Sequence, residues 1–157
     1  MGASYELRNK DPKSGFGVRV QKGILQKIPI VDIGLRAHFS YFSGENDISR
    51  EGLTYSTDMT EYDFGLAVMG GISLDMLSPY AELGLGSSTM ALDSDDFGGI
   101  NDDESNVYWN TFVGAKVSIL PFIKPIVEYQ YTNTRLSNPK VADKHDSRIM
   151  FGCSFSF

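Results

Sequence analysis

Two side chains with catalytic potential lie close together in the segment His38-Phe39-Ser40. A histidine can act as a general base and a serine as a nucleophile when an acid orients the imidazole. Residues two apart in a strand point to the same side, so His38 and Ser40 would share one face. An isolated match to a short motif is weak support for catalysis. We therefore expect both residues to join a hydrogen-bond network, and hydrolysis is the enzymatic alternative.

A second group with chemical potential is the acidic stretch from Asp93 to Glu104. These two residues, with Asp95 and Asn101, supply oxygen atoms at the first, twelfth, third and ninth positions of an EF-hand-like loop. Phe97 occupies the fifth position, where an oxygen ligand belongs, and the flanks predict strands rather than helices. Acidic runs are most often solvated loops. Weak divalent binding, shared with lipopolysaccharide phosphates, is the alternative.

These residues are positioned by strands, and the end of the chain shows the pattern most clearly. Counting back from the last residue, every second residue is apolar: Phe157, Phe155, Cys153, Phe151 and Ile149. A period of two predicts a strand with one apolar face and one small or polar face. An aromatic residue at the very end is typical of the closing strand of an outer-membrane β-barrel.

Seven earlier segments alternate in the same way, and none of the chain predicts a helix. Tight turns are expected at 26–29, 77–79 and 120–122, and longer connections at 9–14, 43–61, 93–106 and 137–144. Short periplasmic turns and longer extracellular loops are typical of outer-membrane barrels. We predict an all-β fold: one domain over residues 1–157, an eight-stranded antiparallel up-and-down transmembrane β-barrel.

Aromatic residues cluster near the two ends of the predicted strands. Such side chains favour the headgroup level of a membrane, so they predict two girdles. The girdle near the long loops contains Phe39, Tyr41, Phe64, Trp109, Tyr129 and Tyr131. Phe155 and Phe157, with Phe122 nearby, mark the opposite end.

The alternation alone does not say which face is inside, because a soluble lipocalin-like barrel has the apolar face inside. The polar face is rich in glycine, which weakens a water-exposed strand but makes room in a narrow lumen. An eight-stranded barrel is only wide enough for side chains to fill, and buried charges must be paired. We therefore predict a closed lumen with a charge network of Glu6, Arg19, Arg36, Glu82, Lys116, Lys124, Glu128 and Arg148.

The bulk properties exclude several classes of protein. The 157 residues contain no apolar run near the roughly 18 residues that a spanning helix needs. A net charge of -6 argues against nucleic-acid binding, and the single cysteine excludes an internal disulfide. The first residues show no secretion signal, so we expect a mature form with the signal removed, a cytosolic protein being the alternative.

These features together resemble the eight-stranded outer-membrane barrels of the OmpA transmembrane domain and the OmpX/Ail group. The resemblance implies a place in the outer membrane of Gram-negative bacteria among lipids and lipopolysaccharide. It also implies that the closing strand, with Phe151, Phe155 and Phe157, is the signal bound by the barrel-assembly machinery. Members serve as adhesins, invasion or serum-resistance factors, structural proteins or lipid A-modifying enzymes.

The segment His38-Phe39-Ser40 also resembles the His-x-Ser motif of the lipid A 3-O-deacylases. It departs from that motif because it lies on the third strand, no asparagine follows the serine, and the register turns both residues into the lumen. We therefore expect a non-enzymatic structural or surface-interaction protein, adhesin-like, without a cofactor and with an unknown extracellular partner. A lipid A-modifying hydrolase is the first alternative, and a soluble ligand-binding barrel is the second.

Overall fold

The computed structural model describes residues 1–25, 30–50, 53–93, 102–119, 122–133 and 145–155, with the backbone alone at 25, 45–50, 53–57, 92–93 and 102–104. Each strand pairs antiparallel with the next, and the last pairs with the first, so the sheet closes into a barrel. The predicted fold class is confirmed. The strands are β1 (Gly2–Arg8), β2 (Ser14–Leu25), β3 (Val31–Arg50), β4 (Leu53–Ile72), β5 (Leu77–Asp93), β6 (Asp102–Val117), β7 (Ile123–Asn133) and β8 (His145–Phe155).

The strands are strongly tilted against the barrel axis. A path of paired residues that leaves Tyr5 toward β2 reaches Thr89 on β5. The path that leaves Tyr5 toward β8 reaches Pro79, ten residues away on the same strand. A stagger of this kind accompanies a strand tilt of about 35–45°. Residues at different positions along their strands therefore come to the same level in the membrane.

The outer wall is apolar and the lumen is polar. On β4, Tyr62 and Phe64 are 45% and 54% exposed, whereas Glu61 and Asp63, which alternate with them along the strand, are at most 1% exposed. This polarity is the inverse of that in a water-soluble barrel, so the soluble ligand-binding alternative does not fit. Within the described ranges, no helix has the length and apolar character needed to cross a membrane.

The predicted upper girdle residues all lie on the outer wall. Phe39, Tyr41, Phe64 and Tyr129 are exposed, and Trp109 and Tyr131 are half-buried against each other with ring centroids 5.9 Å apart. Tyr62 also belongs to this belt, since its ring centroid lies 5.4 Å from that of Tyr41. At the opposite end Phe122 and Phe155 are exposed, and Phe157 lies outside the described residues.

Two predicted loops are shorter than the sequence suggested. The stretch 43–61 is not a loop, because β3 and β4 stay paired as far as Arg50 and Leu53. Strand β5 likewise continues to Asp93 and β6 begins at Asp102. Polar composition alone predicted loops there, but a ribbon in water can be polar on both faces. The predicted connections at 26–29 and 137–144 lie outside the described residues.

The turn predicted at 77–79 is displaced toward the amino terminus. Leu77 already belongs to β5 and exchanges backbone hydrogen bonds of 2.9 and 2.6 Å with Leu74. The chain reverses through Asp75, whose φ of 29° lies in the left-handed region that aspartate tolerates better than most residues. The turn was predicted at 77–79 because proline is common in turns, but proline is also accommodated near the start of a strand.

The seam between β1 and β8 provides a test of closure. A Cβ atom on Gly152 would lie 2.3 Å from the backbone oxygen of Ala3, whereas one on the outward-facing Gly70 would have no atom within 4 Å. We expect Gly152→Val to destabilise the barrel by about 1–3 kcal/mol or more, the usual cost of overpacking. Gly70→Val, the matched control, should have little effect. The fraction of folded protein after refolding in detergent can be compared on SDS gels of unheated and boiled samples. Fast-migrating bands of equal intensity for both variants would contradict the prediction that the β1–β8 contact has no room for a side chain at position 152.

Candidate functional site: the charged lumen and the extracellular wall

The middle of the lumen is filled by a group that we name the Glu128 cluster, formed by Glu128, Arg19, Arg36, Glu82 and Tyr80. Glu128 is 1% exposed and accepts hydrogen bonds from Arg19, Tyr80 and Arg36, the last at 2.6 Å. Arg36 also lies 2.8 Å from Glu82. The members come from β2, β3, β5 and β7, so the cluster joins opposite walls and closes the lumen.

A second group, the Phe42 cluster, lies nearer the extracellular end. Arg148 pairs with Asp63 at 2.6 Å, and Arg8 pairs with Glu61 at 2.9 Å. Both guanidinium groups pack on the fully buried ring of Phe42, with their central carbons 4.8 and 4.1 Å from its centroid. Phe42 therefore contacts two guanidinium groups, each of which also has a carboxylate partner.

Glu6 connects the two clusters. One of its oxygens lies 3.2 Å from Arg19 of the Glu128 cluster, and the other lies 3.8 Å from Arg148 of the Phe42 cluster. Ser4 and Ser40 each donate a hydrogen bond of 3.1 Å to the same carboxylate. The charged side chains therefore form one continuous network along the lumen.

The structure brings together most of the predicted lumen charges and adds others. Seven of the eight are buried in the lumen, whereas Lys124 is half-buried at the periplasmic mouth, in a cavity of about 190 Å³, and forms no ion pair among the described residues. Lys116 donates a hydrogen bond of 2.9 Å to Gln21 rather than to a carboxylate. Four further buried charges, Arg8, Glu61, Asp63 and Asp146, are not among the eight predicted ones, although the two-residue alternation continues through all four.

Glycine provides the room that these side chains occupy. A Cβ atom on Gly65 would lie 2.4 Å from the imidazole of His38. One on Gly86 would lie 2.3 Å from the hydroxyl of Tyr108. Contacts this short do not occur in proteins, so larger residues at these positions would displace the interior side chains.

His38 and Ser40 lie in the lumen with separate partners. The Nε2 atom of His38 is 3.2 Å from the hydroxyl of Tyr108 and 3.5 Å from Asp63, and Ser40 donates to Glu6. The two side chains are 3% and 2% exposed. The arrangement provides an acid for the histidine, but the serine hydroxyl is directed to a carboxylate and is enclosed away from lipid.

The predicted divalent site falls largely outside the described residues. Asp95 and Asn101 lie in the undescribed stretch, and only the backbone is described at Asp93 and Glu104. In the part of the chain that the structure covers, no group of three or more His, Cys, Asp or Glu residues could hold a metal ion.

Four strands continue beyond the aromatic belt and form a surface that we name the extracellular wall: residues 43–50, 53–60, 90–93 and 102–104. Its ladder extends to the pair of Arg50 with Leu53 and to the pair of Leu92 with Asp102. By contrast, β1 ends at Arg8 and β2 begins at Ser14, close to the belt. Among the described residues, the wall stands on the side of the barrel mouth formed by β3 to β6.

Comparison with known proteins gives a consistent family assignment. The model of the outer membrane protein beta-barrel domain matches residues 2–155. No curated protein sequence matches the chain.

Solved structures share the fold at low sequence identity. Neisserial surface protein A (NspA) is 16% identical, with a TM-score of 0.68, covering 99% of this chain and 94% of its own. Ail, the attachment invasion locus protein of Yersinia pestis, is 15% identical, with a TM-score of 0.60 and the same coverage. The outer membrane enzyme PagL is 11% identical, with a TM-score of 0.56, covering 99% of this chain and 98% of its own.

The Glu128 cluster predicts a large effect of a single substitution. Glu128→Ala would leave Arg19 and Arg36 buried without their shared carboxylate, so we expect a loss of about 3–5 kcal/mol of unfolding free energy. Urea unfolding in lipid vesicles, followed by the fluorescence of Trp109, would measure it.

The matched control for this substitution is Asp11→Ala, because Asp11 is exposed outside the barrel wall. Surface changes of this kind usually alter stability by less than about 0.5 kcal/mol. Equal stability of the Glu128→Ala variant and the parent would show that the cluster does not hold the lumen together.

Proposed function

Because the chain belongs to the family of outer membrane protein β-barrel domains, we propose that it acts at the bacterial surface by contact, through its extracellular wall. The observation that carries the proposal is the wall itself. A membrane crossing needs about 9–11 residues per strand, whereas β3 and β4 each have 20. The additional paired residues serve no purpose in spanning the bilayer and place an ordered backbone in the medium.

The closed lumen supports contact rather than transport. The Glu128 and Phe42 clusters fill the barrel at two levels, and their largest members, including Arg36, Arg148 and Phe42, are fully buried. A solute that crossed the barrel would have to separate buried ion pairs, which is costly in a low-dielectric interior. The barrel therefore serves as a rigid base for the wall.

The composition of the wall and its connections favours a positively charged partner. Residues 43–60 and 93–106 contain ten of the twenty acidic residues of the chain and a single basic residue, Arg50. A surface patch of one sign accelerates encounter with a surface of the opposite sign and loses that advantage in high salt. The fold shared with the attachment invasion locus protein is compatible with such a role.

We also propose that the closing strand guides assembly. Phe151 and Phe155 point outward on β8 and are 50% and 39% exposed, so they are accessible while the strand awaits its partner β1. An exposed aromatic strand edge is a suitable surface for an assembly machinery that adds strands by backbone pairing.

Shortening the wall tests the contact function. A variant in which an Asn-Gly turn replaces residues 45–58 keeps every strand that spans the membrane and removes the longest ribbon. We expect bacteria displaying it to lose most of the gain in attachment to beads coated with a basic protein that the parent confers at equal surface level. Counts of adherent bacteria would measure this.

A charge variant serves as the matched control for the ribbon. Glu45→Gln, Asp47→Asn, Glu51→Gln and Asp58→Asn keep the ribbon and remove its negative charge. A loss of attachment comparable to that of the shortened variant, together with salt sensitivity of the parent, would support an electrostatic contact. Undiminished attachment by the shortened variant would contradict the proposal.

The second candidate function is a lipid A-modifying hydrolase. The shared fold of the outer membrane enzyme PagL favours it, as does the acid that Asp63 supplies to His38. Burial of Ser40 in the lumen opposes it, because an ester in the bilayer has no access to that hydroxyl.

Mass spectrometry of lipid A from cells that express the protein separates the two functions. We expect an unchanged lipid A profile with the parent and with Ser40→Ala. Loss of an acyl chain in cells with the parent, and its retention with Ser40→Ala, would establish the hydrolase instead. Gly70→Val, on the outer wall, controls for expression of an altered barrel.

A further inference from the structure

One lysine interrupts the apolar outer wall. Lys22 lies on the outward face of β2 between Val20 and Ile24, which are 51% and 57% exposed. Between the two aromatic belts, it is the one charged residue that the described strands place on this face. The described residues offer it no carboxylate within ion-pair distance. A charge on the lipid-facing surface therefore has to be balanced by the membrane itself.

The depth of Lys22 fixes which membrane surface it faces. It lies six residues along β2 from Phe16, an exposed residue paired with Tyr41 of the upper belt, and therefore about 15 Å toward the periplasmic end at the usual rise and tilt of barrel strands. The strand ends three residues later, at Leu25. A long lysine side chain extends toward the nearer headgroups, and here those are the headgroups of the periplasmic leaflet.

An apolar groove begins at Lys22. It crosses the outer wall from β2 to β6, has a volume of about 890 Å³ and ends at Trp109. Its floor is the small side chain of Ala37, which lies in register between Val20 and Leu66. This volume is within the range of roughly 300–1,000 Å³ that ligand sites in proteins have.

The direction of the groove matches the direction of a lipid in that leaflet. The stagger of the barrel raises each row of paired residues toward the extracellular side as it passes from β2 to β6. The groove therefore starts near the periplasmic headgroups at Lys22 and rises into the bilayer toward Trp109. A phosphate at the lysine would leave an acyl chain lying along the groove.

We propose that Lys22 and this groove form a binding site for an anionic glycerophospholipid of the periplasmic leaflet. The ammonium group of Lys22 binds the headgroup phosphate, and one acyl chain lies over Ala37. The positive charge selects lipids with a net negative headgroup, and the groove contributes binding that is independent of headgroup charge. The site lies on the opposite side of the membrane from the extracellular wall, and it is independent of the wall's function.

Native mass spectrometry of the protein in detergent micelles tests the site with two probes, phosphatidylglycerol and phosphatidylcholine of identical acyl chains. We expect the parent to retain phosphatidylglycerol at several-fold higher occupancy. Lys22→Gln should reduce phosphatidylglycerol to the level of phosphatidylcholine. The matched control Lys13→Gln changes a lysine outside the barrel wall and should leave the preference intact.

A second pair of variants tests the groove. Ala37→Leu fills its floor and should reduce the occupancy of both lipids, whereas Ala115→Leu, on the outward face of β6 six residues from Trp109, should not. The heat-dependent shift on SDS gels confirms that each variant is folded. Equal retention of the two lipids by the parent, an unchanged preference in Lys22→Gln, or displacement of phosphatidylglycerol by lipid A at equal concentration would overturn the proposal.

Discussion

Pairing of the first strand with the last is the contact on which the whole structure depends. In a bilayer no water satisfies an exposed strand edge, so the backbone hydrogen bonds of all eight strands have to close in a ring. Closing with so few strands leaves a lumen that side chains must fill. Glycines such as Gly65 and Gly86 are consequences of that narrowness, because each lies where an interior side chain of the neighbouring strand needs space.

The same narrowness explains the chemistry of the interior. Polar side chains that face the lumen have little water around them, so every charge requires a partner within the barrel. Glu128 meets this requirement by accepting from two arginines and a tyrosine at once. The network is extensive because carboxylates such as Glu6 contact two arginines at once and so connect one ion pair to the next.

The fold could be predicted from alternation because a period of two survives wherever one face meets lipid and the other meets the lumen. The prediction failed where that difference between environments ends. Above the belt, along the paired residues 43–50 and 53–60, the ribbon no longer has lipid on one side and the closed lumen on the other, so composition no longer distinguished strand from loop. The alternation along β3 correctly predicted that the side chains of His38 and Ser40 point into the lumen. It could not predict their separate hydrogen-bond partners, Tyr108 and Glu6, because these depend on how far distant strands are shifted along one another.

Because the wall strands continue those of the barrel without interruption, the inside–outside alternation of the membrane segment persists above it. One face of the wall looks across the barrel mouth and the other looks away from the barrel axis. An odd number of residues inserted into one wall strand would exchange these faces for everything beyond the insertion, whereas an even number would preserve them. Length variation among natural forms of the wall should therefore proceed in steps of two, and sequence variation should differ between alternate positions.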